Sequence, residues 1–200
     1  MHPYLALRGN PRVHITTIEV LSAEWSVLRR ATFHYRRGDG TVSTERREAY
    51  DRGDGVAILL LDPRRDTVVL TRQFRLPAYL NGHPDGMLIE VPAGKRDRDD
   101  PVTAVRREAE EETGVRVGEV THLFDAYMSP GSVTEQLAFF TATYTRDDRV
   151  HPGGGVAGEG EDIEVLEIAL GDALAMVDSG QIADAKTIML LQWARHRHPV

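Results

Sequence analysis

Between Asp99 and Gly114 the chain carries one helix marked at both ends, and most of the sequence on either side alternates like strand. Asp99 or Asp100 can serve as the N-cap, Pro101 suits the first turn, and Gly114 suits the C-cap. Upstream, apolar and polar positions alternate through Val13, Ile15 and Thr17, through Ile18 and Val20, and again around Trp25, Val27, Thr32, His34 and Tyr35. These predict strands, with a hairpin turn at Arg37, Gly38, Asp39 and Gly40. Further strands are expected at 56–61, 67–71 and 87–91, the first two joined by a turn at 62–66, with a loop at 81–86. Downstream, strands are expected at 117–124, 135–144 and 162–168, and amphipathic helices near 171–179 and 184–197. Gly153 through Gly160 reads as a mobile glycine-rich loop, without the lysine-serine or lysine-threonine pair of a phosphate-cradling loop. Strands with a few interspersed helices, rather than regular alternation, imply a mixed sheet of the α+β kind.

Two hundred residues suit one domain, or one domain with a small appendage. There is no cysteine, so neither disulfides nor thiolate metal sites are available, and a reducing compartment is expected. The N-terminus shows no secretion signal, and the longest apolar run, at 56–61, is far short of the ~20 residues of a membrane helix. The net charge of -7 argues against a general nucleic-acid binder, while local arginines can still hold a phosphorylated small molecule. A soluble cytoplasmic protein is expected, with neither nucleic acid nor membrane among its partners.

The chemistry concentrates at Arg106-Arg107-Glu108-Ala109-Glu110-Glu111-Glu112-Thr113-Gly114. Helical periodicity places Glu108, Glu111 and Glu112 on one face, at i, i+3 and i+4. Val102, Val105 and Ala109 form a neighbouring stripe that would anchor the helix on the sheet. Side chains so spaced sit about 5–6 Å apart at Cβ, close enough for their oxygens to converge on a cation. Mg²⁺ favours such hard oxygen ligands, and two ions about 3.5–4 Å apart can hold an attacking water and stabilise phosphate oxygens. Taken alone, an acidic run of this kind would be a solvated face paired with Arg106 and Arg107.

The surrounding pattern decides between them. A strand, Pro92-Ala93-Gly94 and a capped helix carrying Arg-Glu-Ala-x-Glu-Glu-x-Gly-Val together resemble the Nudix box. Counted from Gly94, the box is one residue short, and Asp100 stands at the usual glutamate's place, where it reads as a cap. The shortening precedes the helix and leaves its acidic face untouched. Outside the box, the blocks 46–53, 72–75, 81–82, 127–131, 153–156, 161–165 and 184–187 are similar to the GDP-mannose pyrophosphatase branch, which shares the shortened box. The resemblance implies a Nudix fold, a mixed β-sheet sandwiched by helices with a small N-terminal antiparallel strand subdomain. It places the subdomain at 1–52 and the hydrolase domain at 53–200, and implies a homodimer in which the subdomain helps build each site.

The implied reaction is Mg²⁺-dependent cleavage of GDP-mannose to GMP and mannose 1-phosphate, with Mn²⁺ able to substitute. Carried over by position, Glu108, Glu112 and the Ala93 carbonyl would bind metal. Glu161 would complete the metal site or position the water, and Glu111 would be a ligand or support the ligands. Arg47 and Arg75 would hold phosphate, for which the guanidinium fork is suited. Trp25 would stack on the base, while Arg46, Glu48, Glu135 and Lys186 would line the pocket with Gly94 and Lys95 of the box. Trp25 and Arg46 match that branch only in type, and the loop before Glu161 is two residues longer, with glycine at 158 and 160.

Glu90-Val91-Pro92-Ala93-Gly94-Lys95 is also similar to ADP-ribose pyrophosphatases, which leaves an ADP-ribose or ADP-sugar activity as the alternative. A non-catalytic nucleotide-binding Nudix domain is the reading from a different class. Such domains usually lose box glutamates, and here those of the helix, Glu108, Glu111 and Glu112, are all present.

Overall fold

The computed structural model describes residues 9–197 apart from 97, 157 and 159. The chain divides into two compact units, Met1–Gly53 with Ser129–Glu135, and Asp54–Met128 with Gln136–Val200. The first unit is an antiparallel sheet of β1 (Val13–Ala23), β2 (Val27–Arg36) and β3 (Val42–Asp51), in that order. The predicted hairpin joins β2 and β3: Arg37 donates its backbone N–H to the Thr41 carbonyl, and Gly40 takes φ 87°. Trp25, expected on a strand, lies instead in the bend between β1 and β2 and is 79% exposed. Ser129–Glu135 belongs with this unit because Tyr50 N–H reaches the Ser132 carbonyl at 2.8 Å and Thr134 N–H reaches the Tyr50 carbonyl at 3.0 Å.

The second unit holds a seven-stranded mixed sheet. It contains β4 (Gly55–Asp62), β5 (Thr67–Phe74), β6 (Met87–Glu90), β7 (Ala93–Lys95), β8 (Thr121–Tyr127), β9 (Gln136–Thr143) and β10 (Glu164–Ala169). The main path runs β10-β5-β4-β9-β8, with β6 on β5 and β7 on β4. β4 and β9 are parallel and the other pairs antiparallel. The unbroken apolar run of β4 is explained by its place: every residue of it is buried. Strand alternation sends Val56, Ile58 and Leu60 to one face and Ala57, Leu59 and Leu61 to the other, each in a separate core.

Helix α1 is short (Leu76–Leu80), and α2 (Pro101–Thr113) covers the first face with Ala104, Val105 and Ala109. The opposite face is covered by α3 (Leu170–Asp178) and α4 (Ala185–Arg197), through Leu170, Ala173, Leu190, Leu191 and Ala194. This is the α+β architecture expected, a mixed sheet between helices. Among the described residues, every buried apolar side chain lies in this unit, and no helix is long and apolar enough to cross a membrane. Two strand starts move by two residues or more: the strand predicted at 117–124 begins only at Thr121, after the bend at Gly118, and the strand predicted at 162–168 starts at Glu164, while α1, five residues with a proline, had no signal.

Candidate active site

Two groups of charged residues, both in the second unit, define the candidate site. The first grows from α2. Asp100 caps it, its carboxylate accepting the backbone N–H groups of Val102 and Thr103, so the residue at the box's missing glutamate acts as the cap. Gly114 closes the other end at φ 74°, where an added Cβ would strike the His151 carbonyl. Between these ends the apolar stripe docks on the sheet, and the same rotation turns Glu108 and Glu112 inward, 7% and 2% exposed. Gly94 of β7 passes directly over Glu108, and a Cβ built there would fall on its carboxyl group.

The glycine loop completes this corner. Gly154 and Gly155 donate their N–H groups to the carbonyls of Glu112 and Glu111, at 2.9 and 3.0 Å. Gly153, at φ 78°, lies so close that a Cβ would meet the Thr113 backbone. The expected mobility of this loop is therefore corrected for Gly153 to Gly155: the C-terminal turn of α2 pins them, and a Cβ at Gly153 or Gly155 would collide with its neighbours. The pinned loop brings Glu161 in, where its Oε2 accepts the Val156 N–H at 2.8 Å.

Glu112 receives one hydrogen bond, from the Ala93 N–H at 3.2 Å. Burial pushes its carboxyl well above the usual carboxylate range, and the charges of Glu108 and then Glu161 push the same way, against Ala93 and Arg75. Arg107 serves the outer side of the helix, with Nη1 3.0 Å from both Glu108 and Glu111 and Nη2 on the Lys95 carbonyl at 3.3 Å. Glu111 is thus an ion-paired residue of the helix face, as an acidic run taken alone would be. Among the described residues, neither Glu112 nor Glu161 has an ion-pair partner, and no three acidic or histidine side chains gather into a ready-made metal cage. The donor set still suits a divalent cation. It consists of hard carboxylate oxygens, two of them buried, with excess negative charge and glycines that keep side chains out of the way.

The second group centres on Glu90, at the end of β6, which the sequence reading did not single out as a site residue. It is 1% exposed. Arg75 forks onto it, Nε to Oε1 at 2.7 Å and Nη2 to Oε2 at 2.8 Å. Lys186 also meets Oε2 and is 3.0 Å from Asp184. Asp184 caps α4, accepting the Thr187 N–H at 3.0 Å, while the Thr187 hydroxyl accepts the Val91 N–H at 2.8 Å. Although burial works to raise the Glu90 carboxyl, the hydrogen bonds of Arg75 and the charge of Lys186 bring it down to about 2. The predicted phosphate residues Arg75 and Lys186 are thus brought together by a carboxylate. A glutamate ending a half-buried strand was the available signal, because a buried carboxylate needs partners.

The other predicted residues lie in the first unit. Glu135 is buried and paired with Arg52, Nε to Oε1 at 3.0 Å. Glu48 faces Arg30 across β2 and β3 at 3.0 Å, and Arg47 pairs with Glu45 at 3.1 Å. Arg46, Arg47 and Trp25 are exposed.

A sheet flanked by helices on both faces, with a capped acidic helix lying under a glycine-bearing strand, defines a class, and the sequence comparisons agree. The chain belongs to the NUDIX domain family, which matches residues 51–190. Residues 12–50 match the family described as the GDP-mannose pyrophosphatase NudK N-terminal domain. Among its relatives is the GDP-mannose pyrophosphatase of Pectobacterium atrosepticum, 52% identical over 182 residues, 91% of this chain and 93% of that one. The enzymes of that name from Klebsiella pneumoniae and Escherichia coli are 49% and 48% identical, each over 90% of this chain and 90% and 93% of theirs. A crystal structure of an ADP compounds hydrolase superposes with TM-score 0.71 over 94% of this chain and 97% of that one, at 16% identity, a likeness of fold.

Proposed function

We propose that the chain is a Mg²⁺-dependent hydrolase of the pyrophosphate bond of a nucleotide sugar, with GDP-mannose as substrate and GMP and mannose 1-phosphate as products. The observation that carries this reading is identity near 50% to three GDP-mannose pyrophosphatases along about nine-tenths of both chains. Glu108, Glu112, Glu161 and the Ala93 carbonyl would hold the metal, with Glu111 behind them. Bound there, Mg²⁺ would polarise the attacking water and take up charge on the phosphate oxygens. Arg75 and Lys186 would donate to the diphosphate, and Gly94 and Lys95 would lie along it. Trp25, Arg46, Arg47, Glu48 and Glu135 are assigned to recognition of base and sugar. The exposed apolar side chains of the first unit, Val20, Leu21 and Val42 among them, support a homodimer that covers part of that sheet.

Hydrolysis of GDP-mannose, ADP-ribose and other nucleotide sugars should be compared with Mg²⁺ and with chelator. GDP-mannose should give the highest kcat/KM, and chelator should abolish turnover. A clear preference for ADP-ribose would overturn the substrate, and binding without hydrolysis would overturn the enzyme.

A further inference from the structure

We propose that Glu90 is a positioning residue for substrate, holding Arg75 and Lys186 side by side on one buried carboxylate so that their remaining donors face the diphosphate. This rests on the reading of Arg75 and Lys186 as phosphate contacts.

Glu90 is fixed at both ends of its peptide: its carbonyl accepts the Thr71 hydroxyl at 3.2 Å, and the N–H of Val91 is held by Thr187. The carboxylate therefore stands on a rigid base, between a strand of the sheet and the capped start of α4. A guanidinium has five N–H donors and an ammonium three. Arg75 spends its Nε and Nη2 on Glu90, which fixes the plane of the fork and, among the described residues, leaves Nη1 available. Lys186 spends donors on Glu90 and Asp184, leaving one in a defined direction. Arg75 also lies near enough to Glu112 to feel its charge, so this cation group borders the acidic corner of α2.

Glu90 has a second effect. Two cations converging on one anion would repel each other without it and separate by rotamer changes that both long side chains allow. A diphosphate would then have to gather them again and order them during binding. The carboxylate has done this in advance. If Glu90 merely offset charge, its removal would strengthen anion binding; if it positions, its removal weakens binding. The sign of the KM change separates the two.

The full-length protein with Mg²⁺ and GDP-mannose should be assayed as wild type, Glu90→Gln, Glu90→Asp, Arg75→Ala, Lys186→Ala and the Glu90→Gln/Arg75→Ala double variant, each with its melting temperature. Glu90→Gln should raise KM by about ten-fold with kcat within about three-fold, as expected for lost binding geometry. Glu90→Asp, which keeps the charge and shortens the reach, should recover part of the loss. On the Arg75→Ala background, Glu90→Gln should add about two-fold or less, since coupled residues are not additive. A folded Glu90→Gln variant whose KM is unchanged or lowered, while Arg75→Ala raises KM, overturns the positioning role and leaves the function intact. Unchanged KM in both Arg75→Ala and Lys186→Ala overturns the phosphate reading beneath it. Should Glu90→Gln fail to fold, Glu90→Asp decides, because wild-type KM there is equally fatal to the proposal.

Discussion

The inner end of α2 and the corner between β6 and α4 each bury a glutamate, and the two are treated in opposite ways. Glu112 is 2% exposed and Glu90 1%. Glu90 faces two cations, which offset its desolvation and hold its carboxyl near 2. Glu112 accepts one backbone N–H and feels the charge of Arg75, but burial and then the charges of Glu108 and Glu161 outweigh both and push it the other way. Burial is the same in both, so burial does not set the purpose of either. The partners do. The Glu90 corner is electrically settled within the fold, whereas the Glu112 corner carries a repulsion the fold leaves in place. Strained electrostatics of that kind concentrate at functional sites.

The largest expected effect comes from removing the repulsion. Glu112→Gln should lower kcat by at least about 100-fold, the scale expected when a metal's immediate surroundings are altered. Its melting temperature should equal or exceed that of wild type, because a buried carboxyl whose ionisation the site opposes is gone. Loss of folding in that variant, seen by circular dichroism, would make the two corners alike and the helix face structural.

A steric test follows. Gly94 needs no left-handed backbone, so alanine is conformationally allowed there, yet its methyl would displace the Glu108 carboxyl group. Gly94→Ala should reduce kcat/KM by about ten-fold or more, on the view that small misplacements are costly in catalysis. Gly118→Ala, where a Cβ meets nothing within 4 Å, should leave activity unchanged. Equal activity in both variants would mean that the position of Glu108 is unimportant.

The smallest effect is a pH dependence. A carboxyl whose folded value is depressed adds stability above its unfolded value, and loses it as pH falls toward the folded one. For Glu90 that window runs from about 4.5 down to about 2. Across it, wild type should lose melting temperature more steeply than Glu90→Gln, by a difference of a few °C for a chain of this size. Parallel curves would show that the corner is not held by this charge.

Much of the site could be read from residue types alone, because α2 announces itself. A cap, a proline, an apolar stripe and a terminal glycine all agree on one helix, and the spacing of Glu108 and Glu112 then fixes which face they share. β4 was similarly plain as an apolar run. What stayed hidden depended on tertiary contact. Trp25 sits among polar and apolar neighbours that alternate as a strand would, and only the bend at its position takes it out. α1 is too short for periodicity to register. The loop at Gly153 looks flexible by composition, and only the closeness of the α2 backbone shows why glycine is needed there. Glu90 is the instructive case: its motif is similar to that of other enzymes, but its partners lie 15 and 96 residues away in sequence. No local pattern points to them.

The central claim is that the buried carboxylates of α2 exist to hold a divalent cation. Mn²⁺ binding, followed by the loss of free-ion electron paramagnetic resonance signal in wild type and Glu112→Gln without substrate, tests it most directly. Wild type should take up the ion, and Glu112→Gln, still folded, should bind it at least about ten-fold more weakly, in line with the effect of altering a metal's surroundings. Equal uptake by the two proteins, or none by wild type at saturating Mn²⁺, would contradict the account.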